Sequence, residues 1–359
     1  MKENKYARTS VELAQKQSLP LGAKVAMSQR RIIDWCEAFD YATYVSISGG
    51  KDSDTLSELV EMACPRAGIP RVFIDTGLEY ASVRKHALEK ADVVLRPELS
   101  FLQILTKYGY PVISKEVAQA VSEVQRAKVN GKELPSYRMT AFRGERLGKD
   151  GKKSAFNMEK YAFLLDAPFR ISAKCCDYSK KKPALKYERE SGRVPFIGTM
   201  ATESRLRREK WLKFGCNAFD KERQTSQPLS FWTEQDVLRY ILENGLTIAD
   251  AYGHIVKDYS KVAFLAGQLC LSDDGLKPRE DVPLKTTLCS RTGCAFCMFG
   301  ITQDTKRFIR LKELEPQKYD YIMRGGKFDE QGMWVPHNGL GYKFVIDWLN
   351  EHGGLGIEY

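Results

Sequence analysis

The segment Val45-Ser46-Ile47-Ser48-Gly49-Gly50-Lys51-Asp52-Ser53 gathers the residue types that hold phosphate. Paired glycines permit positive φ and close approach of the backbone, so successive N–H groups can turn toward one anion. A helix starting near Asp52 and running through Leu56, Leu59, Val60 and Met62 would aim the positive end of its dipole at the same point. Lys51 adds a full charge and Ser48 and Ser53 add hydroxyls. Asp52 offers a carboxylate oxygen of the kind that holds Mg²⁺. The spacing is not G-x-x-x-x-G-K-[ST], so ordinary transfer of a γ-phosphate is not the chemistry implied.

The second constellation is sulfur. The chain has nine cysteines, and Cys289, Cys294 and Cys297 form C-x4-C-x2-C with the tandem Cys175-Cys176 far upstream. The C-x2-C turn, eased by Gly293, lets two thiolates reach one metal centre. This spacing suits a plant-type iron–sulfur site and also a four-thiolate zinc site, and does not separate them. Cys36, Cys64, Cys216 and Cys270 stand alone and read as packing residues. The four histidines, His86, His254, His337 and His352, have no metal-ligand spacing. The N-terminal residues lead into no apolar signal core, so the expected compartment is the cytoplasm and the thiols point to metal or redox chemistry instead of disulfides.

The run S-G-G-K-D-S resembles the PP-loop of the ATP pyrophosphatase superfamily, whose members cleave ATP between the α and β phosphates. Three further blocks are similar, in order, to those of the phosphoadenosine phosphosulfate (PAPS) reductase family: Phe73-Ile74-Asp75-Thr76-Gly77-Leu78-Glu79-Tyr80, Phe196-Ile197-Gly198-Thr199 leading into Met200-Ala201-Thr202-Glu203-Ser204-Arg205, and the stretch from Gln227 to Val237. The resemblance implies an adenine nucleotide with Mg²⁺ at Ser48, Gly49, Gly50, Lys51, Asp52 and Ser53. It places Asp75, Thr76 and Gly77 beside the adenosine, and Thr202, Glu203, Ser204 and Arg205 over the phosphates. Lys51, Asp52 and Arg205 would then carry catalysis. It also favours a [4Fe-4S] cluster over zinc, on Cys289, Cys294 and Cys297 with Cys176 or Cys175 completing the set.

One departure bears on the reaction. Reductases of this family use a nucleophilic cysteine in an E-C-G-x-H-like C-terminal segment, whereas this sequence closes on Asn350-Glu351-His352-Gly353-Gly354-Leu355-Gly356-Ile357-Glu358-Tyr359. The resemblance does not carry that nucleophile over. The leading expectation is an ATP-dependent adenylating sulfurtransferase, similar to DNA phosphorothioation proteins of the PAPS-reductase-like type, with a nucleic-acid substrate and a sulfur-donor protein as partners. Sulfonucleotide reduction with a variant nucleophile is the alternative. A nucleotide- or nucleic-acid-binding module with structural zinc is the third.

The elements that must position these residues read as strands near 43–48, 72–74, 93–95 and 194–198, alternating with helices near 82–90, 99–108 and 234–244. Such alternation is that of an α/β doubly wound parallel sheet, and the resemblance makes it adenine nucleotide alpha hydrolase-like. The expected divisions are a helical arm over 1–40, a PP-loop domain over 41–268 with a mobile basic loop or ribbon at about 126–160, and a cysteine-containing helical appendage over 269–359. The net charge of +10 and pI near 9.0 fit an acidic partner. The surplus gathers in 138–153, 180–182 and 205–213. No apolar run approaches the roughly 20 residues that span a bilayer, so no membrane partner is expected.

Overall fold

The computed structural model describes residues 8–148, 150–261 and 282–359. Cys270 lies outside the described residues, as do part of the N-terminal arm and Lys149 of the basic stretch. By packing, the chain forms two units. The first gathers the described residues of 1–75, 79–95 and 184–293, and the second those of 76–78, 96–183 and 294–359.

The first unit is built on a six-stranded sheet: β1 (Thr43–Ile47), β2 (Arg71–Ile74), β3 (Val93–Leu95), β4 (Val194–Ile197), β5 (Asn217–Ala218) and β6 (Thr225–Ser226). The order is β3-β2-β1-β4-β6-β5, parallel except for β5. The chain steps outward from β1 to β3 and then returns to β1's other edge at β4, so the direction of winding reverses beside β1. Ligands of open α/β sheets lie at the carboxyl ends of strands at such a reversal. Side chains alternate across β1 as a strand requires. Val45 and Ile47 join the core with Ile32, Trp35 and Leu56, while Tyr44 turns to Tyr187 and Glu188 on the opposite face. The expected doubly wound α/β fold is thus what forms.

Several elements differ from the sequence expectation. The helices Ser10–Gln17 and Leu21–Ala38 are no separate arm: Leu13, Ile32, Trp35 and Cys36 are core residues of the first unit. Lys24, only 2% exposed, pins the second of these helices by donating to Asp236 Oδ2 at 2.7 Å and to the Gln17 carbonyl at 2.6 Å. The appendage expected at 269–359 is divided, because 282–293 packs in the first unit and 294–359 with 96–183 in the second. The stretch 126–160 is more helical than its glycines suggested. It contains the end of helix Lys115–Val129 and the helix Ser136–Phe142, with a single antiparallel bridge at Leu147 and Lys153.

In the second unit the helices Phe101–Tyr108, Arg307–Leu314, Pro316–Met323 and Tyr342–Gly353 surround a core that includes Tyr110, Phe169, Phe308 and Tyr342. The last helix went unread in the sequence because glycines flank it. Gly341 and Gly354, with φ of +68° and +57°, are its left-handed caps. Among the described residues no helix is long and apolar enough to cross a membrane.

Removing one partner of a buried ion pair strands the other, so Lys24→Ala should lower the stability of the first unit by about 3 kcal/mol. Urea unfolding followed by tryptophan fluorescence measures it, and an unchanged midpoint would contradict the role given to this pair.

Candidate functional site

The loop from β1 into helix Lys51–Ala63 is shaped by two close backbone approaches. Gly49 has φ of +71°, and a Cβ there would lie 2.3 Å from the Val83 carbonyl oxygen. Gly198, after β4, brings the neighbouring strand so near that a Cβ on it would lie 2.9 Å from the Asp52 carbonyl oxygen. Gly50 is the helix N-cap and provides no side-chain cap. The Lys51 N–H is taken by Tyr252 Oη and the Ser53 N–H by the Gly50 carbonyl at 2.9 Å, so among the described residues the Asp52 N–H is the first-turn donor left to water or an anion. Ser53 Oγ closes the loop by donating to the Gly50 carbonyl at 2.8 Å and accepting the Ser48 N–H at 3.2 Å.

Lys51 is buried, at 2% exposure. Its Nζ donates to the Ser290 carbonyl at 2.8 Å, pairs with Glu234 Oε1 at 3.2 Å and lies 5.4 Å from the Tyr252 ring centre. Tyr252 Oη accepts the Lys51 N–H at 3.3 Å and shares a hydrogen bond with Thr292 Oγ1 at 3.0 Å. Burial raises the Asp52 carboxyl above its ordinary range, against the opposing pull of Lys51 and Arg291. Asp52 Oδ1 is buried with no hydrogen-bond partner among the described residues. That oxygen is a ready seat for a cation.

Among the arginines, Arg207 rather than Arg205 shares the field of Asp52. Burial first, then the like charge of Arg291, lowers the Arg207 pKa, while Asp52 opposes the shift. Arg207 also pairs with Glu203. Arg205 is 60% exposed and pairs with Glu209 at 2.9 Å. Ser204 caps the helix Arg205–Phe214 by accepting the Arg207 N–H at 3.3 Å, and Glu203 accepts the Met200 N–H at 2.7 Å. These two residues set the start of the helix that presents Arg207.

Asp75, at the end of β2, is held by Arg84 through two hydrogen bonds of 2.7 Å. Thr76 and Gly77 belong to the second unit, where the neighbouring Leu78 carbonyl accepts the Ala295 N–H at 2.8 Å. Tyr252, Glu234, Ser290, Arg291 and Thr292, which the structure brings to the loop after β1, were not singled out from the sequence for this site. Ser290, Arg291 and Thr292 sit inside C-x4-C, where metal spacing drew attention to the cysteines and not to what lies between them.

The thiols divide between the units. Cys289 falls in the first, 2% exposed, with its N–H donating to the Ala251 carbonyl. Cys175, Cys176, Cys294 and Cys297 share the second. Cys175 and Cys176 are 3.9 Å apart at sulfur, and the charges acting on Cys175 are those of Cys176, Cys297 and Cys294. Cys176 is held below the usual thiol range, first by the hydrogen bond from Cys175 and then by Lys115 and Lys180. Burial pushes Cys297 up. Tyr342 Oη is buried without a hydrogen-bond partner among the described residues, within electrostatic reach of Cys297, Cys175 and Cys294. The sulfur-rich donor set and this unused hydroxyl fit a thiolate-held group, although no three His, Cys, Asp or Glu side chains among the described residues are arranged as a finished metal centre.

Residues 146–298 match the phosphoadenosine phosphosulfate reductase domain. The match supports a place in the PAPS reductase family; it covers less than half of the chain and starts beyond the loop at 48–53. That family is enzymatic, and the match supports a sulfonucleotide-related function. Among solved structures, the phosphoadenylyl-sulfate (PAPS) reductase from Candida auris, determined as a phosphate complex, is similar at 13% identity. The similarity covers 67% of this chain and 90% of that one, with a TM-score of 0.34. No curated protein matches this chain.

Lys210 lies on the same helix as Arg207, and burial with neighbouring Lys221, Arg223 and Arg207 lowers its pKa to about 8. At pH 8 about half of it is neutral, whereas an ordinary lysine is almost wholly charged. Lys210 should therefore be acetylated by an N-hydroxysuccinimide ester at least about tenfold faster than exposed Lys85 at that pH. Peptide mass spectrometry over time reads both rates, and equal rates would refute the depressed pKa.

Proposed function

We propose that the protein binds ATP at the loop after β1 and cleaves it between the α and β phosphates to adenylate an oxygen of its substrate. The observation that carries this reading is the buried Lys51 with its Nζ 4.0 Å from Asp52 Oδ1, an oxygen without a hydrogen-bond partner among the described residues, at a helix start with no side-chain cap. The Asp52 N–H and the Lys51 ammonium would grip the β and γ phosphates, and Asp52 Oδ1 would hold Mg²⁺. Arg207 and Arg291 would neutralise charge growing on the departing pyrophosphate. The substrate oxygen attacks the α-phosphorus, the bond to the α,β-bridging oxygen breaks, and pyrophosphate leaves with the electron pair. A hydrosulfide-level nucleophile then attacks the activated centre, the new bond to sulfur forms, and AMP leaves.

Cys175, Cys176, Cys294 and Cys297 are the residues we assign to hold a [4Fe-4S] cluster, with Tyr342 Oη able to donate to one of its sulfurs. When bound, such a cluster supplies a site for handling sulfide. Cys289 is left out because it packs in the other unit. The acceptor we favour is nucleic acid, in keeping with the basic surplus of the chain. The family match favours a second reading, reduction of a sulfonucleotide. Cys36 and Cys64 are poor candidates for its nucleophile, since burial pushes Cys36 up to about 12 and raises Cys64.

Pyrophosphate release from ATP, set against sulfite release from a sulfonucleotide, decides between the readings. Lys51→Ala and Asp52→Ala should abolish pyrophosphate release. Arg207→Ala should cost on the order of a hundredfold in kcat, and Arg205→Ala much less. Sulfite without pyrophosphate would overturn the first reading. Separately, anaerobically purified protein should carry about four irons per chain. Cys294→Ser or Cys176→Ser should lose that iron and Cys289→Ser should keep it; iron loss in Cys289→Ser would refute the ligand set.

A further inference from the structure

Almost all of the chain's positive surplus lies in one stretch. Residues 96–183 contain 18 Lys and Arg against 9 Asp and Glu, out of a formal net charge of +10 for the whole chain. This stretch belongs to the second unit, and there it borders a cavity of about 370 Å³, within the range of small-ligand pockets. Lys107, Arg126, Arg170 and Lys174 line it and no carboxylate does. Arg170 reaches Asp329 at 2.7 Å and Lys174 lies 3.7 Å from Asp177, while among the described residues Arg126 Nε donates to the Ser122 carbonyl on its own helix. The cavity wall also exposes Val129, which is 79% accessible at the end of helix Lys115–Val129.

Tyr108 lines the same cavity and continues into an aromatic platform. Its ring stacks on Tyr178 with centroids 4.6 Å apart and planes 24° from parallel. Lys182 lies 3.8 Å from the Tyr178 ring centre, and Lys107 5.5 Å from that of Tyr108. A cation-rimmed pocket with apolar and aromatic walls is what an unpaired base with flanking phosphates would require. Stacking on aromatic rings contributes about 1–3 kcal/mol per base whatever its identity, and lysines and arginines track the backbone. An acidic peptide would use the cations and leave the tyrosine platform and Val129 without a role.

We propose that this cavity and the Tyr108–Tyr178 platform form a docking site for single-stranded or locally opened nucleic acid, with one base seated in the pocket. The inference deepens the reading of nucleic acid as acceptor and rests on it for its biological sense. The binding itself can be measured without ATP.

The test is fluorescence anisotropy with a labelled 20-nucleotide single strand and its duplex, using the full chain over a range of salt. The expected result is preference for the single strand, with log affinity falling linearly against log salt. Lys107→Ala and Arg126→Ala should each make that slope shallower by about 0.7. Val129→Glu, at an exposed position where the fold tolerates a charge, should weaken binding at least tenfold. A 2-aminopurine placed in the strand should lose fluorescence on binding to the wild type and regain it with Tyr108→Ala.

Equal affinity for an acidic peptide of the same charge, no binding of the strand, or unchanged binding by variants whose thermal unfolding matches the wild type would each overturn the proposal. Pyrophosphate release, assayed separately, keeps the two readings apart. A protein that cleaves ATP and ignores the strand refutes the docking site alone. One that binds the strand and does not cleave ATP refutes the adenylation alone.

Discussion

A lysine ammonium buried almost completely from water is the constraint around which the first unit is arranged. Burying an unpaired charge costs several kcal/mol, so Lys51 must be met by acceptors wherever the chain can bring them. They come from remote segments: Glu234 at the start of helix Glu234–Glu243, the Ser290 carbonyl, and the face of Tyr252. Each has another attachment. Tyr252 reaches back to the Lys51 N–H and across to Thr292, and Thr233 caps the helix that presents Glu234. One ammonium therefore holds three stretches of chain to the loop after β1. A phosphate oxygen offers the same acceptor chemistry as Glu234, so a nucleotide entering this loop competes for a charge that is already in place.

The same low-dielectric surroundings explain the state of the other groups. Asp52 loses hydration by burial and keeps one oxygen without a hydrogen bond among the described residues, with Lys51 Nζ 4.0 Å away, a costly arrangement that a divalent cation would relieve. Arg207 and Arg291 face that carboxylate from different elements and repel each other. Positive charge gathered around one carboxylate is a poor way to stabilise a fold and a good way to receive an anion. Ion pairs elsewhere in this unit, such as Lys24 with Asp236, are instead satisfied and serve only to hold helices.

Sulfur and surplus charge follow the division into units. The isolated cysteines of the first unit that burial has raised, Cys36 and Cys64, behave as small apolar side chains. In the second unit four thiols gather, with lysines close enough to favour one thiolate. Most of the positive surplus lies in the same unit. The loop after β1 and the four gathered thiols are thus carried by different packing units of one chain.

The local elements were legible in the sequence because short-range physics sets them. β1, β2, β3 and β4 and the helix Glu234–Glu243 form within a residue or two of where apolar periodicity places them, and Gly49 after β1 takes the positive φ that its position demands. What the sequence could not convey was long-range pairing. Spacing made Cys289 a partner of Cys294, yet three-dimensional packing assigns them to different units. The resemblance pointed to Arg205, yet the helix turn started by Ser204 exposes it and leaves Arg207 half-buried within the field of Asp52. Glu234, Tyr252 and Ser290 carry no local mark of function, because their part is to satisfy a charge about 200 residues away in sequence, and only the closed fold decides which groups are near enough to do so.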